Sequence, residues 1–250
     1  MTDKTMENRV ALVTGGAGGI GIAICRRLAT AGCRVVVLDI HDAGMLRQHA
    51  EALPGNGHMG ITASVEDSPM LAKAATQVTE RYGALDLLVN CAGVTRFVAH
   101  DDLDGLDDEL IDRVFRVNWR GSFACIRAFR PLLEAGGDGL VVNISSIAAV
   151  TGTGSNVAYC ASKAAMNAMT ISLARVLAPR VRVVSVSPGA VDTDFIKSLD
   201  PAWRTEQVER TPLKRFVEPE EVAEAVLATA TSLRFSTGCI IPVDGGRPLT

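Results

Sequence analysis

Residues 14–21 read Thr-Gly-Gly-Ala-Gly-Gly-Ile-Gly and connect an apolar, β-branched run to a segment with helical periodicity. Glycine lets the backbone turn sharply and approach a bound group closely, and free N–H groups at a helix start attract an anion. G-x-G-x-x-G beginning at Gly16 and G-x3-G-x-G beginning at Gly15 both fit, so the register stays open. No Lys-Ser or Lys-Thr follows, which disfavours an ATP or GTP loop. The stretch predicts a dinucleotide site, with a ligand-free tight turn as the alternative.

Short β-branched runs alternate with longer stretches of helical periodicity, which is the pattern of repeated β-α units. Near-continuous apolar runs at 35–38 and 85–89 indicate strands that are buried on both faces. The sequence therefore predicts an α/β, Rossmann-type doubly wound fold with a seven-stranded parallel sheet and helices on both faces. The predicted strands are 9–14, 34–39, 58–63, 85–90, 139–145, 181–188 and 239–243. The predicted helices are 19–31, 42–53, 67–82, 107–135, 157–178 and 219–232.

The stretch 190–217 is irregular and mixes prolines with scattered charges after a predicted strand end. Because α/β folds place their ligand crevice beyond such strand ends, we expect a substrate flap here, with a merely solvated loop as the alternative. No linker, charge block or repeat interrupts the series of elements. The sequence therefore predicts a single domain over residues 1–250.

The composition disfavours several kinds of partner. The chain has 25 Lys and Arg against 28 Asp and Glu and no dense basic run, so we expect no nucleic-acid binding. Apolar runs are far shorter than the ~20 residues of a membrane-spanning helix, and the N-terminus lacks the apolar core of a signal peptide. The six cysteines form no Cys-x-x-Cys pair, and the four histidines show no metal-ligand spacing. We expect a cytoplasmic protein with reduced thiols and neither membrane association nor a metal.

Asp39 lies eighteen residues beyond Gly21, at the end of the second predicted strand. An acid at about this offset accepts hydrogen bonds from the adenosine ribose hydroxyls of a bound dinucleotide. The same carboxylate repels a 2′-phosphate by roughly 4 kcal/mol, for unit charges ~4 Å apart at an effective dielectric of about 20. No Arg or Lys occurs within 15–21 or directly after Asp39. The sequence predicts NAD rather than NADP, with an ordinary strand-ending Asp as the alternative.

Tyr159 and Lys163 are four residues apart on a predicted helix, which places the phenol and the ammonium on one face. Lowering the pKa of a phenol from about 10 to near 7 requires ~4 kcal/mol of preferential stabilisation of the phenolate. A cation ~4 Å away supplies roughly that energy. Tyr159 is therefore a candidate acid or base. A chance pair on an amphipathic helix is the alternative.

Together with residues 14–21, this pair makes the whole chain resemble the short-chain dehydrogenase/reductase family. The resemblance implies a serine hydroxyl that polarises the substrate carbonyl, thirteen residues before the tyrosine. That residue is Ser146, and Ser145 is the neighbouring alternative. The resemblance also implies a helix asparagine, here Asn118, whose main chain holds a water that relays protons to the lysine.

Further motifs extend the resemblance. Asn-Cys-Ala-Gly at 90–93 is similar to the family's Asn-Asn-Ala-Gly turn, and Pro-Gly-Ala-Val-Asp-Thr at 188–193 is similar to its Pro-Gly-x-Val-x-Thr. Cys91 and Ser64 depart from the Asn and Asp that the family usually has. The resemblance implies cofactor contacts from Gly15, Gly19, Ile20, Gly21, Asp39, Val65, Asn90, Ala92, Gly93, Tyr159, Lys163, Pro188, Gly189, Val191 and Thr193.

The resemblance implies an oxidoreductase that transfers a hydride between NAD(H) and a secondary alcohol or ketone. In the reducing direction Ser146 holds the carbonyl oxygen, Tyr159 donates a proton, and Lys163 lowers the pKa of Tyr159 and binds the nicotinamide ribose. Residues 212–222 are similar to a segment of 3-oxoacyl-(acyl-carrier-protein) reductases and of many polyol or sugar dehydrogenases, so such a reductase is the alternative. A non-catalytic NAD sensor is disfavoured, because Tyr159 and Lys163 are both present. The resemblance also implies a homotetramer, while the substrate and the direction stay open.

Overall fold

The structure is a computed structural model and describes residues 6–249. Its strands are β1 (Val10–Thr14), β2 (Arg34–Asp39), β3 (Met59–Thr62), β4 (Leu87–Asn90), β5 (Gly139–Ile144), β6 (Val181–Pro188) and β7 (Ile240–Val243). All neighbours pair in parallel, in the order β3-β2-β1-β4-β5-β6-β7. The predicted doubly wound, seven-stranded parallel sheet is confirmed.

Helices cover both faces of this sheet. They are α1 (Gly19–Thr30), α2 (Ala43–Glu51), α3 (Ser68–Tyr82), α4 (Asp108–Phe115), α5 (Ser122–Ala135), α6 (Ala148–Thr151), α7 (Val157–Leu177), α8 (Asp194–Lys197), α9 (Pro201–Arg210) and α10 (Pro219–Thr231). A π-helical turn, Arg116–Gly121, joins α4 to α5, and a 3₁₀ turn, Arg247–Leu249, ends the described chain. Over residues 6–249, no helix combines the length and apolarity needed to cross a membrane.

The central strands are apolar along their whole length because both of their faces are buried. Successive side chains of a strand point to opposite faces of the sheet. In β1, Ala11 and Val13 pack into a core with side chains of α1 and α10, whereas Val10 and Leu12 pack into a second core with α3 and α5. This strand therefore has no alternating polar face, which is typical of parallel sheets that are covered on both faces.

The strand order reverses between β1 and β4, since β2 and β3 lie on one side of β1 and the later strands lie on the other. At the carboxyl end of this pair Thr14 lies opposite Asn90. A doubly wound sheet opens its ligand crevice at such a reversal. The glycine loop, which follows Thr14, is therefore at the position that the fold offers to a ligand.

Two predicted segments differ from the structure. The single helix expected over 107–135 is divided by the π-helical turn, where the Ser122 hydroxyl donates to the carbonyl oxygen of Asn118 at 2.8 Å. Such turns insert an extra residue into a helix and are frequent at functional sites. The irregular stretch expected over 190–217 contains α8 and α9. Asp200 caps α9 and Pro201 begins it, which is a helix-start signal already present in the sequence.

Candidate active site

The glycine loop folds tightly between β1 and α1. Gly15 has a φ of 62°, in the left-handed region that favours glycine. A Cβ atom at position 21 would lie 2.0 Å from the carbonyl oxygen of Gly15, and one at position 15 would lie 2.8 Å from the Cα of Ala92. At Gly18 the nearest atom to such a Cβ is 3.4 Å away. The structure therefore favours the register that begins at Gly15.

A cleft of about 460 Å³ lies at the carboxyl ends of the strands around the reversal point. Its walls come from the glycine loop, the end of β2, the segment after β3 and the turn after β4. Backbone N–H groups at the start of α1 are available there for an anionic group. The predicted cofactor residues that line this cleft are Gly15, Gly19, Ile20, Gly21, Asp39, Val65, Ala92, Gly93 and Thr193.

Four other predicted cofactor residues do not lie on the wall of the cleft, namely Asn90, Pro188, Gly189 and Val191. The Nδ2 of Asn90 donates to Oδ1 of Asn143 at 2.8 Å, so this buried side chain joins β4 to β5. The backbone of Gly189 donates to Val243, and Val191 pairs with the chain at Val217. These residues support the strand ends behind the cleft, and their predicted contacts with the cofactor stay a prediction.

Asp39 places a carboxylate at the far end of the cleft from β4. Its Oδ2 accepts the backbone N–H of Ala17 at 3.0 Å, which fixes the carboxylate against the glycine loop. Its Oδ1 accepts the N–H of Ile40 at 2.7 Å and lies 2.8 Å from Nδ1 of His41. The side chain is held in place by three donors, and it still borders the cleft. An acid occupies the position at which the fold presents a ribose.

The turn after β4 is held by Thr14 and connects the cleft to the predicted catalytic residues. The Thr14 hydroxyl oxygen accepts the N–H groups of Cys91 and Ala92, each at 3.1 Å. The next residue, Gly93, lines the cleft, and a Cβ atom on it would lie 3.8 Å from Nζ of Lys163. Neither Tyr159 nor Lys163 lies on the cleft wall itself, so Gly93 is the point at which the two regions meet.

Lys163 is buried beneath Tyr159 on α7. Its Nζ donates to the carbonyl oxygen of Ile144 at 2.8 Å and lies 5.7 Å from the centroid of the Tyr159 ring. Desolvation lowers the pKa of Lys163 to about 8, and the nearby Cys91 opposes this shift. Burial also raises the pKa of Tyr159, and the neighbouring Ser146 hydroxyl opposes this shift. The ammonium of Lys163 donates to the strand rather than to the phenol, and the expected lowering of the pKa of Tyr159 by Lys163 stays a prediction.

Ser145 and Ser146 have different surroundings at the end of β5. Ser145 is buried, and its hydroxyl donates to the backbone carbonyl of Lys163 at 3.3 Å. Ser146 is only partly buried, its Oγ accepts the N–H of Ala148 at 3.2 Å, and it is close enough to Tyr159 to lower the pKa of the phenol. Of the two serines, Ser146 is therefore the one whose hydroxyl lies beside the predicted acid.

Comparison with known proteins agrees with this geometry. A family model described as Enoyl-(Acyl carrier protein) reductase matches residues 15–247. The 3-oxoacyl-(acyl-carrier-protein) reductase of Thermotoga maritima is 35% identical over 245 residues, covering 96% of this chain and 98% of that protein. The 3alpha-hydroxysteroid dehydrogenase of Mediterraneibacter gnavus is 33% identical, covering 96% and 97%. A crystal structure from Brucella melitensis, described as a short-chain dehydrogenase/reductase of the glucose/ribitol dehydrogenase type, matches with a TM-score of 0.91, 32% identity and 99% coverage of both chains. The chain belongs to the short-chain dehydrogenase/reductase family.

In this short-chain dehydrogenase/reductase, Asn118 lies in the π-helical turn and is fully buried. Its Oδ1 accepts the N–H of Val94 at 2.8 Å, and its Nδ2 donates to the carbonyl of Val94 at 3.1 Å. The same Nδ2 donates to the hydroxyl of Ser162 at 3.2 Å. The side chain therefore ties the segment after Gly93 to the helix that carries Lys163.

The two departures from the family motifs both lie on the cleft wall. Desolvation raises the pKa of the Cys91 thiol to about 12, so the thiol is neutral where the family usually has an amide. Ser64 lines the cleft beside Val65, and its hydroxyl accepts the N–H of Glu66 at 3.2 Å. A short hydroxyl thus stands in for the usual carboxylate.

The sequence reasoning missed one residue that the structure places at the site. Asn156 immediately precedes α7, and its Oδ1 accepts the backbone N–H of Tyr159 at 2.7 Å. Asparagine is a preferred helix N-cap, so its position directly before the predicted helix 157–178 was the available signal. His41, which contacts Asp39, gave no comparable signal because the distance between two side chains cannot be read from the sequence.

Proposed function

We propose that this oxidoreductase interconverts a secondary alcohol and a ketone with NAD(H) as cofactor. The observation that carries the proposal is the placement of the Ser146 hydroxyl beside the phenol of Tyr159, above the buried Lys163 and next to the cleft of about 460 Å³. A partly exposed serine–phenol pair offers two groups to one substrate oxygen, which is what proton transfer to or from an alkoxide requires.

The cleft fits NAD by its shape and by its charge. The close approach of Gly15 and Gly21 leaves no room for a side chain where a pyrophosphate would lie at the start of α1. Asp39, fixed by the N–H of Ala17, would accept the ribose hydroxyls and would repel a 2′-phosphate by roughly 4 kcal/mol at ~4 Å and an effective dielectric of about 20. Val65, Ala92, Gly93 and Thr193 would complete the cofactor site, and Lys163 would contact the nicotinamide ribose from beyond Gly93.

The bound cofactor would supply or accept the hydride, and the protein would move the proton. In the reducing direction Ser146 would hydrogen-bond the carbonyl oxygen while the Tyr159 phenol gives its proton to that oxygen. In the oxidising direction Tyr159 would accept the proton from the alcohol. Lys163 would place a positive charge below the phenol and so favour the phenolate, and Asn118 would hold a water beside Lys163 that relays protons.

The relatives include both a reductase and a dehydrogenase, and each name describes an enzyme of a secondary alcohol and its ketone. A 3-oxoacyl-(acyl-carrier-protein) reductase is therefore the second candidate for this chain. Enzymes of that kind typically use NADPH, which Asp39 disfavours, so we favour a dehydrogenase of a small secondary alcohol or sugar. A sensor without turnover is disfavoured because Tyr159, Lys163 and Ser146 lie together.

We also propose a cytoplasmic, single-domain protein that assembles as a homotetramer and closes its site with residues 190–217. All six cysteines are free in the structure, which suits a reducing compartment. Trp119 and Phe123 are partly exposed and stacked, with ring centroids 6.2 Å apart, which supports an apolar contact surface on this side of α5. Within residues 6–249 no group of three or more potential ligands is arranged to hold a metal ion.

A substrate screen tests the proposal. Purified protein is mixed with NAD and a panel of secondary alcohols and sugars, and with NADH and a panel of ketones and 3-oxoacyl thioesters, while nicotinamide absorbance is followed. We expect turnover with at least one pair and none for Tyr159→Phe, which removes only the phenolic oxygen. Tyr159→Phe should still bind NAD in a fluorescence titration. Turnover by Tyr159→Phe at the wild-type rate would refute the mechanism.

A further inference from the structure

Asn156 contacts both halves of the proposed site and lies outside the motifs quoted above. It is 1% exposed and immediately precedes α7. Its Oδ1 accepts the backbone N–H of Tyr159 at 2.7 Å, while its Nδ2 donates to the carbonyl oxygen of Arg96 at 2.7 Å and to the hydroxyl of Thr95 at 3.2 Å. One amide thus holds the helix turn that carries Tyr159 and the segment that leaves the turn after β4.

The two segments are joined at two further points beside Asn156. The backbone N–H of Val98 donates to the carbonyl oxygen of Ser155 at 2.8 Å, and the hydroxyls of Thr95 and Ser155 are hydrogen-bonded to each other. We refer to residues 95–98 and 155–156 as the latch. Because the latch combines backbone and side-chain hydrogen bonds at a partly buried position, we expect its two segments to move together.

The latch lies on a hydrogen-bonded path between the cleft and the phenol. Gly93 lines the cleft, and Val94 is bound to Asn118 through both its N–H and its carbonyl. The latch begins at the next residue and ends three residues before Tyr159. The hydrogen bonds of Asn156 therefore connect the chain that leaves the turn after β4 to the first turn of α7.

Capping alone does not account for this asparagine. An N-cap needs only an oxygen that accepts an N–H of the first helical turn, and serine, threonine or aspartate supply it equally well. The Nδ2 group contributes nothing to the cap. It instead satisfies the carbonyl of Arg96, which lies in a different segment of the chain. A donor and an acceptor on one planar group are needed only if the two segments must keep a fixed separation.

We propose that Asn156 is a positioning residue that couples the cofactor-binding turn to Tyr159, so that the phenol is held in register with the bound cofactor. The inference rests on the proposed function. Hydride and proton transfer require reacting atoms to be placed closely, and a misplacement of ~1 Å costs about 100-fold in rate. Asn156 fixes the backbone of Tyr159, and it does not lie on the wall of the cleft.

Asn156→Ser is the decisive variant, because a serine keeps the cap and loses both Nδ2 bonds. We expect kcat to fall about 10- to 100-fold, with the KM of the alcohol and the affinity for NAD nearly unchanged. The apparent pKa on the acidic limb of the pH profile of kcat should also shift, because the distances between Tyr159 and its neighbours are no longer fixed. Asp67→Ser is the matched control, since Asp67 caps α3 through the N–H of Met70, and it should leave kcat and the pH profile unchanged.

A double-mutant cycle separates coupling from general loosening. Thr95→Val removes a hydroxyl that Asn156 contacts and keeps the side-chain shape. If both residues act through the latch, the loss of kcat in the double variant is smaller than the product of the two single losses. Fully multiplicative losses, or wild-type kcat and pH profile in Asn156→Ser with normal folding, would overturn the inference.

Hydrogen exchange tests the same coupling without any substrate. In the wild type we expect NAD, or NADP if it binds more tightly, to slow exchange at residues 90–94 and also at 157–160. In Asn156→Ser the protection at 90–94 should remain while that at 157–160 is lost. Equal protection of 157–160 in both proteins contradicts the coupling. A wild type that binds neither cofactor would overturn the proposed function itself, and the inference with it.

Discussion

The ammonium of Lys163 donates a hydrogen bond to the carbonyl oxygen of Ile144 at 2.8 Å, at the last residue of β5. The two serines of the site follow directly after that residue, so one strand end holds the cation and presents the hydroxyl. Burial lowers the pKa of Lys163 to about 8. A charged group therefore occupies a position that favours its neutral form.

Lys163→Met is expected to abolish turnover and to change the pH dependence of stability. The pKa of Lys163 is lower in the folded protein than its ordinary 10.5, so the unfolded state binds more protons between about 8 and 10.5. The contribution of Lys163 to the free energy of unfolding of the wild type therefore rises as pH increases through that window. Below the window the buried charge destabilises the folded protein by about 3 kcal/mol. Urea unfolding near pH 7 and near pH 10 should show a more favourable change in the wild type than in Lys163→Met, because the buried thiols titrate in both proteins and cancel in the comparison. An equal change in the two proteins would contradict the assignment.

Substitutions of the two adjacent serines are expected to have different effects on activity and on stability. Ser146→Ala removes the hydroxyl beside Tyr159, and we expect kcat to fall about 10²- to 10³-fold, as for loss of one donor to a developing oxyanion. Ser145→Ala removes a buried hydrogen bond to the carbonyl of Lys163 and should cost about 1 kcal/mol of stability with kcat largely retained. Steady-state kinetics and urea unfolding of both variants decide the point. A larger kcat loss in Ser145→Ala would reverse the two roles.

Alanine substitutions in the glycine loop test its register. In Gly21→Ala the new Cβ would lie 2.0 Å from the backbone oxygen of Gly15, so the loop must open and we expect NAD affinity to fall at least 100-fold. In Gly18→Ala the closest atom is 3.4 Å away, and NAD affinity should stay within an order of magnitude. Fluorescence titration with NAD measures both affinities, and circular dichroism confirms that the variants fold. Similar losses in both variants would favour the register that begins at Gly16.

The fold was predictable because its signals are local. Unbroken apolar strands require a sheet covered on both faces, and residues 14–21 mark the turn from β1 to α1. The register of the glycines was not predictable, since it depends on how closely Gly15 approaches Ala92, a residue 77 positions away. Nor did the sequence reveal α9, although Asp200 and Pro201 are a cap and a first helical residue.

The site was predictable to the extent that spacing along a helix determines it. The four-residue spacing of Tyr159 and Lys163 places them on one face, and the structure keeps them there with 5.7 Å between Nζ and the ring centroid. Spacing does not determine which group accepts the hydrogen bond of the ammonium, and in the structure the acceptor is the carbonyl oxygen of Ile144. The choice between Ser145 and Ser146 likewise depended on burial at the strand end, and the contacts of Asn156 depended on a separate segment of the chain.

Asp39 is expected to select NAD over NADP. Asp39→Asn keeps the size of the side chain and removes the charge that would repel a 2′-phosphate. We expect the wild type to bind NAD more tightly than NADP. In Asp39→Asn the ratio of the NADP and NAD dissociation constants should fall at least tenfold, chiefly because NADP binds more tightly. Calorimetric titration with both cofactors measures the ratio, and Asp42→Asn, the N-cap of α2, is the control for a nearby charge. Tighter NADP binding by the wild type would show that the carboxylate does not face the ribose.

His58 is expected to make the protein less stable in mild acid. Its Nδ1 accepts the backbone N–H of Val35 at 3.0 Å, and its Nε2 lies 2.9 Å from the carbonyl oxygen of Pro54, so the ring must be neutral to make both bonds. Desolvation lowers the pKa of His58 below its ordinary 6.5, against the opposing bond to Pro54.

Because the unfolded state takes up this proton first, the stability that His58 contributes is present above pH 6.5 and is lost as pH falls through the lower pKa of the folded state. His58→Asn keeps an acceptor for Val35 and removes the titrating ring, so its urea midpoint should fall less than that of the wild type between about pH 7.5 and pH 5. Carboxylates titrate in both proteins and cancel in the comparison. Parallel loss of stability in the two proteins would mean that the ring of His58 does not accept the Val35 N–H in solution.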